Sequence, residues 1–184
     1  VVSGRKTMGY PWLDPAPLAD SLHAAGVDYV VSDALFSQTR RYLNPSIMAH
    51  PESFLRAHMY PESRTMVFEF LGREGGEDLR RVQEKREQLE AHLDRAPSDM
   101  TRWRQLYSIG TIFHQKGKRA KAIEVYEKVL PHMGETGLVW HNLGILHQAE
   151  GRFEQAVEAY RSALAKSRKN PRIMIGLAES LESL

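Results

Sequence analysis

A chain of 184 residues with 42% hydrophobic content has room for one large or two small domains. Its 25 Lys+Arg against 23 Asp+Glu leave a net charge of +2, short of the basic footprint of a nucleic-acid binder. The absence of cysteine excludes disulfides, thiolate metal sites and cysteine nucleophiles, and no apolar run approaches the roughly 18 residues of a membrane span or forms a signal-peptide core.

Residues 1–72 mix two periodicities. Val1-Val2 reads as the tail of an opening strand. Asp14-Pro15 predicts a helix start, an acceptor at the cap followed by proline at the first helical position. Leu18, Leu22 and Ala25 continue at helical spacing, and Gly26 closes that segment. Tyr29-Val30-Val31 predicts a short buried strand. A second helix is expected from Leu35 to Leu43, stopped by Asn44-Pro45. Phe54 to Tyr60, then Pro61-Glu62-Ser63-Arg64, then Thr65 to Leu71 reads as strand, turn and strand, with Met66, Phe68 and Phe70 on one face. Together these make a small α/β layer.

Glycines between Gly72 and Gly76 mark a linker. A charged helix is then expected from Glu77 to about Arg95, with Glu77 and Asp78 in its first turn and a narrow apolar stripe of Leu79, Val82, Leu89 and Leu93 interrupted by Arg86. Its role would be to cap the helices C-terminal to it. Pro97-Ser98-Asp99 starts the next helix, with Ser98 or Asp99 as the cap.

From there the chain repeats itself. Gly110 and Gly144, Gly117 and Gly151, Ala122 and Ala156, Tyr126 and Tyr160 all stand 34 residues apart. A third copy begins at Leu177-Ala178. A period of this length marks stacked supersecondary units, and about three copies are usually needed for stability. Gly110 and Gly144 fall mid-helix, where glycine costs about 1 kcal/mol against alanine, so close helix approach is the expected return. Gly117 and Gly151 suit left-handed helix caps, while the tyrosines offer a large apolar face with a polar tip.

The run Trp140-x2-Leu143-Gly144-x2-His147, with Gly151, Ala156, Tyr160 and Ala163-Leu164, resembles the tetratricopeptide repeat. That resemblance implies paired antiparallel helices exposing one concave, partner-binding face. Residues 1–72 resemble, through Ser3-Gly4-Arg5-Lys6-Thr7, Tyr10-Pro11, Val27-Asp28-Tyr29-Val30-Val31-Ser32 and Val67-Phe68-Glu69-Phe70, the extracytoplasmic C-terminal domain of GT-C type membrane glycosyltransferases. By that likeness the chain would be the extracytoplasmic, periplasmic-side part of a membrane-embedded parent. None of that family's catalytic residues can be placed on this sequence. The chain starts without methionine and stops inside a repeat, so it reads as a piece of something longer.

Sites for chemistry are few. Ser3-Gly4-Arg5-Lys6-Thr7 lacks G-x-G-x-x-G and Walker spacing and reads as a plain loop. His141 and His147 are six residues apart and point to different sides of a helix, unlike an i, i+4 metal pair. Lys116, Lys118, Arg119 and Lys121 read as a solvated turn. No catalytic residue, metal or cofactor is expected. The better surface is the stripe Arg104, Tyr107, Thr111 and His114, matched one repeat later by Leu138, His141, Ile145 and Gln148, with Asn142 at its edge. Asn142 matches the asparagine of the family's carboxylate-clamp members. Tyr107 and Thr111 stand where a lysine and an asparagine would be wanted, so a chaperone-tail clamp is not expected.

The expectation is therefore α+β: a small α/β domain over 1–72, a linker and capping helix over 73–97, and an all-α tetratricopeptide array over 98–184. Its role would be protein–protein interaction, with a protein or peptide as partner. Two alternatives stay open: a cytoplasmic scaffold of the same repeats, and a nucleotide- or sugar-phosphate-binding α/β domain carrying the repeats as an adaptor.

Overall fold

Alternation of apolar and polar side chains builds a three-stranded sheet near the start of the chain. The computed structural model describes residues 22, 24, 26–32, 43–60, 62–71, 79–167 and 170–184. They group into two compact units, Val1–Gln83 and Glu84–Leu184. In the first, strands β1 (Tyr29–Ser32), β2 (Phe54–Tyr60) and β3 (Thr65–Phe70) lie in the order β1-β3-β2, antiparallel throughout. Val30 faces Phe68 and Phe54 faces Phe70, and the latter two rings stand 5.4 Å apart. These side chains join Leu22 and Leu43 in one core, with Val27, Ile47 and Met66 against it. The register slips between Arg56 and His58, the mark of a β-bulge.

Several expectations change here. Tyr29-Val30-Val31 is not fully buried: Val30 and Ser32 point inward while Tyr29 and Val31 remain about half exposed, at 49% and 53%. An edge strand of an antiparallel sheet wets one face. Asn44-Pro45 does not stop a helix. Helix α1 (Asn44–Ala49) contains both, because proline is tolerated in a first turn whose N–H groups lack partners anyway. Ser32 Oγ donates to Asn44 Oδ1 at 2.9 Å, tying β1 to this turn. Of the helix expected before Gly26 only Leu22 and Ala24 are described, and both are helical. The rest of that segment, most of the expected 35–43 helix, the expected Val1-Val2 strand, Pro61 and the expected 72–78 linker lie outside the described residues.

Helix α2 (Arg80–Leu93) starts later than expected and has no acidic residue in its first turn, while Leu79 before it adopts φ 48°. The stripe itself is real: Leu79, Val82, Leu89 and Leu93 are all buried. Arg86, which interrupts it, is bound on both sides, with Nε on Glu90 at 2.7 Å and Nη1 on Glu124 at 2.9 Å.

Five more helices complete the chain: α3 (Met100–Gln115), α4 (Arg119–Met133), α5 (Leu138–Ala149), α6 (Phe153–Lys166) and α7 (Pro171–Glu182). No strand interrupts them among the described residues. Asp99 caps α3, accepting from the backbone N–H groups of Thr101 and Arg102 at 3.1 Å each. Connections as short as Lys116–Lys118 and Glu150–Arg152 force neighbouring helices antiparallel, so α3, α5 and α7 run the same way. Gly117 and Gly151 sit at φ 70° and 71°, the left-handed caps expected of them.

The mid-helix glycines are points of close packing in the array. A Cβ on Gly110 would stand 2.8 Å from the Tyr126 ring, and one on Gly144 2.6 Å from the Tyr160 ring. Ala122 and Ala156 are fully buried beside them. In α7 the counterpart by spacing, Ala178, is exposed. Gly176 makes the close contact instead, its virtual Cβ 2.6 Å from Tyr160 Cζ. The two positions face different neighbours. Gly176 stands where Asn142 stands one repeat earlier, turned back toward the preceding tyrosine, whereas Ala178 faces the side on which no further helix packs among the described residues.

Candidate protein-interaction face

At 34-residue intervals the parallel helices α3, α5 and α7 place Arg104, Leu138 and Arg172 in one row. Tyr107, His141 and Ile175 form the next, then Thr111, Ile145 and Glu179, then His114, Gln148 and Glu182. None of these twelve side chains is buried, whereas Leu106, Ile109, Phe113, Val139 and Leu146 on the other arcs of α3 and α5 are. α3 and α5 thus divide into a core side and an open side, while α7 also exposes Met174, Ala178 and Leu181 away from these rows.

The open side is organised around the two repeat tyrosines. Asn142 Nδ2 donates to Tyr107 Oη at 2.9 Å and to Tyr126 Oη at 3.2 Å. Tyr126 in turn donates to Thr111 Oγ1 at 3.4 Å, and its ring lies 5.6 Å from Tyr107 and 6.5 Å from His114. Burial pushes the Tyr126 phenol well above its ordinary pKa, so it stays a neutral donor. One repeat on, Tyr160 Oη donates to Gln148 Oε1 at 2.8 Å, Gln148 Nε2 donates to Glu179 at 3.0 Å, and His141 lies 6.2 Å from the Tyr160 ring. Burial raises the Tyr160 phenol to about 12, with Glu179 adding to the shift.

The structure therefore brings Tyr107, Thr111, His114 and Asn142 into one connected group, and His141 and Gln148 into another. Ile145 leans on the core of Ala156, Tyr160, Ala163 and Ile173 as well as on the open side. Arg104 stands apart, exposed at one edge. Asn142 gives its amide hydrogens to two tyrosines, a physical reason for it not to serve as a carboxylate clamp. Glu179 and Gly176 belong to this face and were not singled out from the sequence, although the repeat spacing carries Ile145 onto Glu179 and Asn142 onto Gly176.

His147 fills the slot of Phe113 and is buried, with no hydrogen-bond partner for Nδ1 among the described residues. Burial lowers its pKa, and Arg152 lowers it further. His114 and His141 are lowered in the same way, by burial first and then by Arg119 and Arg172 respectively. Among the described residues no three His, Asp or Glu side chains converge on a metal-sized site. No described helix is long and apolar enough to cross a membrane. In the first unit an open depression of about 300 Å³ is lined by Asp28, Tyr29, Glu69 and Phe70. The loop Ser3-Gly4-Arg5-Lys6-Thr7 lies outside the described residues.

Residues 104–169 match the tetratricopeptide repeat family. The match covers most of α3 and all of α4 to α6, the segment that holds the Gly110–Tyr126 and Gly144–Tyr160 contacts and the left-handed caps at Gly117 and Gly151. No curated protein matches the chain. The match fits the paired helices of this segment and supports protein–protein interaction in general, and repeats of this kind are generally not catalytic.

Proposed function

We propose that the open face of α3, α5 and α7 is a groove for a peptide or protein segment, and that the repeat unit acts through binding alone. The observation that carries this is the division of α3 and α5 into a buried arc and an unburied one. The unburied arc is lined by aromatic, hydrogen-bonding and apolar side chains in aligned rows. Such a lining offers apolar contact together with donors that fix a backbone. A groove of this size supports roughly micromolar affinity, about −8 kcal/mol. Selection from a displayed random-peptide library should return binders whose contacts map to Tyr107, His141 and Ile145. Replacing Tyr107 and His141 together by alanine should abolish binding while leaving the helical signal in place. Binders that survive this change but are lost on altering Arg5 and Lys6 would move the site to the α/β unit and favour the sugar-phosphate reading.

The resemblance of residues 1–72 supports a wider setting: the extracytoplasmic C-terminal part of a GT-C-like membrane glycosyltransferase, with the repeats recruiting a partner on that side. Protease added to intact cells and to cells with opened envelopes tests it. Cleavage of the repeats in intact cells places them outside; protection until lysis favours the cytoplasmic scaffold.

A further inference from the structure

The groove lining carries charge in a pattern that its neutral centre does not announce. Arg104 and Arg172 occupy the same repeat position two periods apart, with Leu138 between them. Both arginines are exposed, and Leu138 is 54% exposed. Neither guanidinium takes part in an ion pair among the described residues. Asp99, the acid nearest in sequence to Arg104, is turned to the backbone of Thr101 and Arg102 and to His92. The positive charge of Arg172 is felt at His141 in the next row, which puts it on the groove side of α7. Leu138 opens α5 and Arg172 stands one residue after the start of α7, so the positive ends of two parallel helix dipoles point to this edge. The carboxylates of the same face, Glu179 and Glu182, lie farther along α7, and Glu179 is held by Gln148.

We propose that this edge selects an extended acidic segment: one carboxylate at Arg104, a second at Arg172, and an apolar side chain between them over Leu138. The proposal rests on the reading of the open face as a groove and adds the chemistry of its occupant. Packed helices stand about 8–10 Å apart, so two steps from α3 to α7 span roughly 16–20 Å. An extended chain rises about 3.3 Å per residue and covers that distance in about five or six residues. The matching sequence is therefore acidic, a short polar spacer, apolar, a short polar spacer, acidic.

The test is calorimetry on the full chain with three synthetic peptides. The first carries two glutamates about six residues apart with leucine midway. The second has lysines in their place. The third has the glutamates only about two residues apart, too close to reach both arginines. The first should bind about tenfold more tightly than the second, and more tightly than the third, with an affinity that falls as salt rises. Arg104→Glu with Arg172→Glu should invert the preference between the first two peptides; Arg104→Gln with Arg172→Gln should erase it. Thermal melts confirm that these exposed-site variants fold. Equal binding of the glutamate and lysine peptides, or of the wide and narrow spacings, overturns the proposal. If peptides selected from the random library bind at Tyr107 and His141 without acidic residues, the acidic preference falls and the groove reading stands. If neither the designed nor any selected peptide binds, both fall.

Discussion

A single atom decides the fate of Gly144. Its missing Cβ would stand 2.6 and 2.7 Å from two carbons of the Tyr160 ring, and that ring is itself fully packed. Gly144→Leu should therefore destabilise the array by about 1–3 kcal/mol or more through overpacking, read as a drop in thermal midpoint. An unchanged midpoint would mean the ring can swing aside. His147 makes the opposite case, since its Nδ1 is buried without a partner among the described residues while the equivalent slot holds the fully buried Phe113. His147→Phe should raise stability by about 1 kcal/mol, because an unsatisfied polar atom is replaced by apolar surface. The same histidine sets a pH dependence, together with His114 and His141. All three have folded pKa values below the ordinary value near 6.5. Above that value both states are neutral and no stability is lost. As pH falls through it the unfolded chain takes up protons first, so stability declines until the folded values are passed. Melting at about pH 5.5 should come below melting at about pH 7.5, and His147→Phe should narrow the gap.

At the level of the element, caps and stripes were the parts most readable in advance. Asp99 was legible because an acid before a helical run has one common use, and it performs it. Asp99→Ala should cost about 1 kcal/mol, measured by denaturant unfolding. The glycine caps and the α2 stripe were legible for the same local reason. Features that depend on neighbours did not read locally. Pro45 sits inside α1 because a first turn needs no N–H at that point, and the sequence alone does not say which side of a proline is helical. Val31 is as β-branched as Val30, but it points to the face of the sheet away from the core and stays wet. In α7 the 34-residue register points to Ala178, yet Gly176 meets the tyrosine, because the preceding repeat lies on its side of the helix. In the groove, the stripe positions came from periodicity, while the capture of Asn142 by two tyrosine hydroxyls depends on distances between helices that no spacing contains.

For the whole molecule the question is where the chain can be cut. The compact units divide between Gln83 and Glu84, inside α2. A segment beginning there would lack the first turn of that helix. Starting at Glu77 keeps all of α2, together with the bridges from Arg86 to Glu124 and from Lys128 to Glu90. We expect residues 77–184 to melt cooperatively by circular dichroism and residues 84–184 to melt lower and more broadly. A non-cooperative melt of the longer segment would show that the array needs residues 1–72 for its stability. Arg86→Ala in the full chain should lower the melting midpoint modestly, since its two ion pairs are partly shielded from solvent.

The Tyr160 ring packs closely against both Gly144 and Gly176. It works as a spacer of fixed gauge between two successive first helices, since a flat aromatic body cannot be compressed and a glycine has nothing to retract. The spacing of the rows on α5 and α7 is therefore set from behind, by a ring buried beneath them. With a segment bound there as proposed, such a groove would not stretch to suit its occupant. It would behave as a ruler, and the segment would have to bring its side chains at the ruler's own graduation or leave a row unfilled.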